Sequence, residues 1–261
     1  MKAKCVLPTQ RAIDENVDHL RVSPGVAEMR RIWSAMASAV AAGYVLLQLL
    51  GRRAGSTQDE RQQRLPGDEL VPRPQIVTDY AVTFEVASVD IWPWLTQMGW
   101  HLGGYYTPTW VDRLLFPDSW SSLDHLDRVL VRDLHAGNVI PDGPSGTAWF
   151  VVEEADAPRS LVLHSTTHVP AGWREKFGVS IDWTWCFQVI DLPGSRARVH
   201  LRVRGRMAPR WFAWIYQALI IPADYVMALG MLRGIAKRAE THAPPRRSGR
   251  IPYAPPTEVT M

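Results

Sequence analysis

Trp94, Tyr105, Tyr106, Trp110, Trp149, Trp183, Trp185 and Phe187 form the set of side chains best suited to build a binding surface in this 261-residue chain. Large aromatic faces make either a core or the wall of an apolar pocket, and a few polar groups among them orient whatever is bound. Tyr105, Tyr106 and His164 are the candidates for those polar groups. His164 and His168, in H-S-T-T-H, have the spacing of a metal pair, but they lie on a strand and turn with no third ligand evident nearby. Asp127 with Asp133, and Glu153 with Glu154, are the paired carboxylates, and solvated faces explain them as well as acid–base chemistry does. The chain has no nucleotide loop, nucleophile elbow or H-E-x-x-H. No cofactor and no metal is expected.

The elements that must hold these residues are mostly strands. Thr147 to Ala155, Arg159 to Thr167, Ser180 to Asp191 and Ala197 to Met207 are separated by turn residues such as Asp142-Gly143 and Pro193-Gly194. Short connections make neighbouring strands antiparallel. Ile181, Trp183, Trp185, Phe187 and Val189 share one face of their strand. Val199, Leu201 and Val203 share one face of the next, against Arg198, His200, Arg202, Arg204 and Arg206. The pattern predicts an aromatic inner side and a wet, basic outer side. That basic row would suit anionic lipid heads or a solvated surface. With no exposed aromatics beside it, a nucleic-acid platform is missing, and no nucleic-acid partner is expected.

Val77 to Gly104 opens as a strand, with Tyr80, Val82, Phe84 and Val86 on one face. Ser88 is placed to cap a short helix over Val89 to Met98, with Pro93 inside it and Gly99 as its stop. A second helix is expected around Thr109 to Leu115, and a strand, turn and strand over Asp127 to Pro141. The last element, Pro209 to Glu240, is divided at Pro222, where a helix can begin. Asp224 is the single charged residue between Trp211 and Leu232, and it suits the positive end of that helix.

Three stretches carry a resemblance to a known family. I-W-P-W-L-T-Q-M-G followed by G-G-Y-Y-T-P-T-W, D-R-V-L-V-R-D-L-H-A-G-N-V-I-P, and A-D-Y-V-M-A-L-G-M-L-R-G-I-A-K-R-A-E resemble segments of bacterial SRPBCC proteins, the START-like, polyketide-cyclase-like superfamily. Asn138 stands where an aspartate is usual, and Ala228, Leu229 and Gly230 stand where the closing helix usually carries charge. The resemblance implies an α+β helix-grip fold: a curved antiparallel sheet wrapped around a long C-terminal helix, with an apolar cavity between them. The cavity lining it implies is Trp94, Tyr105, Tyr106, Trp110, Trp149, His164, Trp183, Trp185, Phe187 and Met227. It leaves the chemistry open, because the superfamily has both binders and enzymes.

Ahead of this domain, Ile32 to Leu50 contains no charged residue and is long enough for a bilayer's hydrocarbon core. It predicts a single membrane span, with a soluble alanine-rich helix as the alternative. Ala35, Ala39 and Gly43 make a small-residue row on which a partner membrane helix can approach. The organisation expected is a tail over 1–28, an apolar helix over 29–51, a polar linker over 52–74, the domain over 75–240 and a basic tail over 241–261. A net charge of +3 is too small to imply a polyanionic partner, and two cysteines support no disulfide framework. Three functions fit: binding of an apolar small molecule or lipid by a membrane-associated domain, a cyclase or dehydratase, and an accessory subunit of a membrane complex. A cytoplasmic location is the alternative if the apolar helix is soluble.

Overall fold

The computed structural model describes residues 24–115 and 121–243, and the chain forms two compact units, Met1–Leu49 and Leu50–Met261. Among its described residues the first holds one element, helix α1 over Pro24–Leu50. It begins with the proline at its first position, where the missing N–H costs no intrahelical bond. Gly25–Leu50 is apolar and long enough to cross a membrane by length and composition, a test that the partly buried C-terminal helix also passes. The expected N-terminal tail lies mostly outside the described residues, as does nearly all of the basic C-terminal one.

The second unit is built on one six-stranded antiparallel sheet in the order β1-β6-β5-β4-β3-β2. The strands are β1 Ile76–Phe84, β2 Val139–Pro141, β3 Trp149–Asp156, β4 Ser160–Ser165, β5 Ser180–Leu192 and β6 Arg196–Ala208. The helices are α2 Gln58–Gln62, α3 Ser88–Thr96, α4 Thr109–Leu115, α5 Trp173–Phe177 and α6 Arg210–His242. Alternation puts Tyr80, Phe84, Trp183, Trp185, Phe187, Val199, Leu201 and Val203 into one core. α6 lays Ile221, Asp224, Ala228, Met231, Leu232, Ile235 and Ala239, all buried, into the same core. A sheet gripping a long C-terminal helix is the helix-grip arrangement, as the strand pattern and the resemblance together led one to expect.

Four local expectations are corrected. Ser88 is the first residue of α3 rather than its cap: its hydroxyl and amide both bond the Asp191 carboxylate, at 2.9 Å each. Asp127 to Pro141 forms only β2, preceded by turns. Pro222 does not divide the last element; α6 runs unbroken through it, burial of its flanking residues offsetting the lost hydrogen bond.

The fourth correction concerns the arginine row, in which Arg198, Arg202 and Arg204 are covered and Arg206 alone is exposed. Of residues 52–74, expected as a linker, Arg52 to Gly55 pair along the free edge of β1, and the stretch from Glu60 to Val71 lies against the outer side of the sheet, with Leu65 and Val71 buried. Thr57 and Glu60 form a capping box that starts α2. Arg202, 3 % exposed, bonds Asp79 at 2.8 Å, Asp68 at 3.0 Å and the carbonyls of Glu60, Arg61 and Gln63. Arg198 holds Glu60 through two bonds, and Arg204 holds the Val71 carbonyl. A guanidinium's five fixed donors suit it to stitching an irregular segment whose carbonyls have no ladder partner.

Candidate functional site

Among the described residues, Asp224 is an inner-face carboxyl without a counter-charge. Asp224 enters from α6 and meets Thr78 and Tyr80 of β1, two residues apart and therefore on one face. Both hydroxyls reach Oδ2, at 3.2 and 3.0 Å, and among the described residues Oδ1 takes no hydrogen bond. Burial pushes the carboxyl up to about 6, against the smaller opposing effect of the two hydroxyls. Tyr80 has one proton and two acceptors, Asp224 Oδ2 and the Gly51 carbonyl at 2.7 Å. A neutral Asp224 that donates to the Tyr80 oxygen lets that proton go to Gly51, so both contacts are satisfied. Burial above all, and then the Asp224 charge, raise the Tyr80 hydroxyl far above its usual range.

Asp224 lines a small cavity of about 10 Å³ together with Tyr105, Thr107, Asp142, Trp185, Met227, Ala228 and Met231. That is about the space one water needs. Trp185 is buried and its indole N–H has no hydrogen-bond partner among the described residues, so the lining carries an unused donor. Tyr105 donates to the Pro141 carbonyl at 3.1 Å, and burial, then the Asp142 charge, raise its hydroxyl. Behind Asp142, His168 Nε2 lies at 2.7 Å and its Nδ1 is 2.7 Å from Ser165 Oγ. This carboxylate–imidazole pair comes from the ends of β2 and β4.

The loop that carries Tyr105 is fixed by glycines. Gly99 and Gly104 exchange backbone hydrogen bonds, and Gly104 has φ +80°. A Cβ at Gly104 would lie 2.7 Å from the Ser122 Cα. On the far side of this loop, an open groove of about 620 Å³ runs along α6, lined by Tyr106, Thr107, Tyr225, Leu229, Arg233 and Arg238 among others. Thr107 borders both spaces. The loop also touches α6 at Gly234, where a Cβ would lie 1.9 Å from the Tyr106 carbonyl oxygen.

Of the residues chosen from sequence, Tyr105, Trp185 and Met227 line the cavity and Tyr106 the groove. Trp94 and Phe187 are buried in the core, Trp94 edge-on to Tyr106 at 5.6 Å, and Trp183 stacks against Tyr216 at 5.5 Å. Three lie elsewhere. Trp110 is 60 % exposed on α4, Trp149 borders a shallow depression near Thr167, and His164 faces outward between Glu153 and Asp182, at 3.2 and 2.5 Å. His164 and His168 thus diverge and share no ligand. Asp224, Asp142 and Thr107 were not singled out from sequence as site residues. The one signal for Asp224 was its solitary charge in an apolar run.

No protein-family model matches the chain, and no curated protein matches it. Among solved structures, the chain is similar to norcoclaurine synthase from Thalictrum flavum in complex with dopamine and hydroxybenzaldehyde, at 14 % identity and TM-score 0.39, over 64 % of this chain and 88 % of that one. Hypothetical protein jhp0584 from Helicobacter pylori is similar at 12 % identity and TM-score 0.41, over 67 % and 95 %. CalU16 from Micromonospora echinospora is similar at 12 % identity and TM-score 0.30, over 63 % and 84 %. Likeness at this level carries no argument about site or activity, and the helix-grip assignment stands on the chain's own sheet order and closing helix.

Proposed function

We propose that this chain binds a small, largely apolar molecule bearing a carbonyl or hydroxyl group between the sheet and α6, in a domain of the SRPBCC type tethered to a membrane by α1. The observation that carries the reading is the cavity lining: the Trp185 N–H, a buried donor without a partner among the described residues, and the Asp224 carboxyl, held by hydroxyls alone, beside the apolar side chains of Met227, Ala228 and Met231 and the polar ones of Tyr105, Thr107 and Asp142. An unpaired buried donor is costly, and a ligand that accepts from the Trp185 N–H recovers that cost. Binding requires the cavity to widen toward the groove. Met227 and Met231 are unbranched and adapt readily, and the loop around Thr107 is the wall to be moved.

Organic extraction of protein purified from membranes, followed by mass spectrometry, tests this. A compound of the stated chemistry at near-equal stoichiometry is the expected result; protein that carries none under any purification condition would count against it. A second reading, a proton-transfer enzyme of the cyclase or dehydratase kind, is favoured by the Asp224 carboxyl being raised to about 6, where both protonation states are populated near neutrality. Conversion of the extracted compound by wild-type protein and not by Asp224→Asn would establish it. The row Ala35, Ala39 and Gly43 on α1 is kept as the face for a partner helix, read by loss of association in Gly43→Leu.

A further inference from the structure

The first three turns of α6 present a stripe that a water-facing helix should not have. Trp211, Trp214, Ile215, Ala218 and Leu219 follow the i, i+3, i+4, i+7, i+8 spacing and are all exposed, Trp214 and Leu219 to 66 %. Phe177 of α5, also exposed, extends this surface: its ring lies 6.2 Å from that of Trp211, and Trp173 stacks on both. Scattered exposed apolar residues are ordinary, but a contiguous aromatic patch marks a contact surface.

The composition and rim of the patch name the partner. Tryptophan and phenylalanine beside aliphatic residues suit the boundary between headgroups and acyl chains. The exposed charges at its edge are Arg174, Lys176 and Arg210 against the single acid Glu175, and Lys176 Nζ sits 5.2 Å above the Phe177 ring. Arg210 to Ala223 contains no acid. Gly51, the residue after α1, is held by Tyr80, and Arg52 reaches Gln217 at 3.4 Å within the same turns of α6. Arg52 therefore lies beside this patch.

We infer that Phe177 and the Trp211–Leu219 face of α6 dock on the surface of an anionic lipid bilayer. The continuity with α1 rests on the tether proposed above; the apolar stripe and its basic rim do not.

The test uses the full chain in vesicles of phosphatidylcholine, alone or mixed with phosphatidylglycerol, that contain a lipid with a photoactivatable diazirine on its acyl chain. Adducts are mapped by peptide mass spectrometry. Adducts are expected on the peptides carrying Phe177 and Trp211–Leu219, several-fold more abundant with phosphatidylglycerol present. Trp214→Glu and, separately, Leu219→Lys should lose them while α1 keeps its own, and Arg210→Glu should lose the preference for the anionic lipid. Adducts confined to α1, or adducts indifferent to lipid charge, would overturn the inference. Loss of α1 adducts alone would remove the tether and leave the docking face standing.

Discussion

The two faces of the sheet treat carboxylates in opposite ways. On the outer face, the hydrogen bond from Arg198 holds Glu60 down at about 2, and Arg202 fills its donors with carboxylates and carbonyls. On the inner face, burial lifts Asp224 to about 6 with only hydroxyls beside it. Among the described residues, the outer face keeps two buried side-chain atoms without a hydrogen bond, His200 Nδ1 and Asp68 Oδ1, among a dense set of satisfied groups, and Asp68 Oδ1 still faces Arg204 at 3.2 Å; the inner face keeps the unused Trp185 donor at a cavity. A nearly saturated network specifies structure, whereas an unused donor at a cavity offers a ligand its partner.

Arg202→Met should break the outer face most severely. It strands buried Asp79 and the carbonyls of Glu60, Arg61 and Gln63, and urea unfolding should show a loss of about 3–5 kcal/mol. Asp224→Asn is next. A folded-state value raised from 3.8 to about 6 means the native chain holds a proton that the unfolded chain releases. Stability from this group is therefore fullest below the unfolded value, falls as pH rises to about 6 and stays low above it. Removing the charge should raise stability above pH 6 by about 3 kcal/mol relative to wild type, and the gap should close toward pH 4.

Gly234→Ala sharpens the inner side, since its Cβ must displace the loop at Tyr106. A cost of about 1–3 kcal/mol in thermal unfolding is expected, with faster exchange of any bound molecule. Glu60→Gln should be mildest. The lowered value means the contribution is present above the unfolded carboxyl value and is lost as pH falls toward 2. After solvent screening it amounts to about 1 kcal/mol, seen as a smaller acid-side drop in the variant than in wild type.

Alternation made the inner face readable from sequence, because a strand's period of two assigns Trp183, Trp185 and Phe187 to one side with no knowledge of neighbours. The same rule placed Arg198, Arg202 and Arg204 together but could not say what covers them, since Glu60, Asp68 and Val71 lie more than 130 residues earlier in a stretch with no period. Asp224 and Tyr80 are 144 residues apart, and neither local pattern announces the other. Trp110 and Trp149 were chosen by residue type, which does not tell a wall from a surface. The patch at Trp211–Leu219 looked like one more apolar stretch because a helix's exposed face is set by the sheet it leaves uncovered.

Native mass spectrometry of the wild-type chain and of Ala228→Leu tests the central claim most directly, because Ala228 lines the cavity and the added methyls fill it. With both proteins folded by circular dichroism, the account predicts a bound apolar compound on the wild type and its loss from the variant. No bound compound on either, or equal occupancy on both, would contradict it.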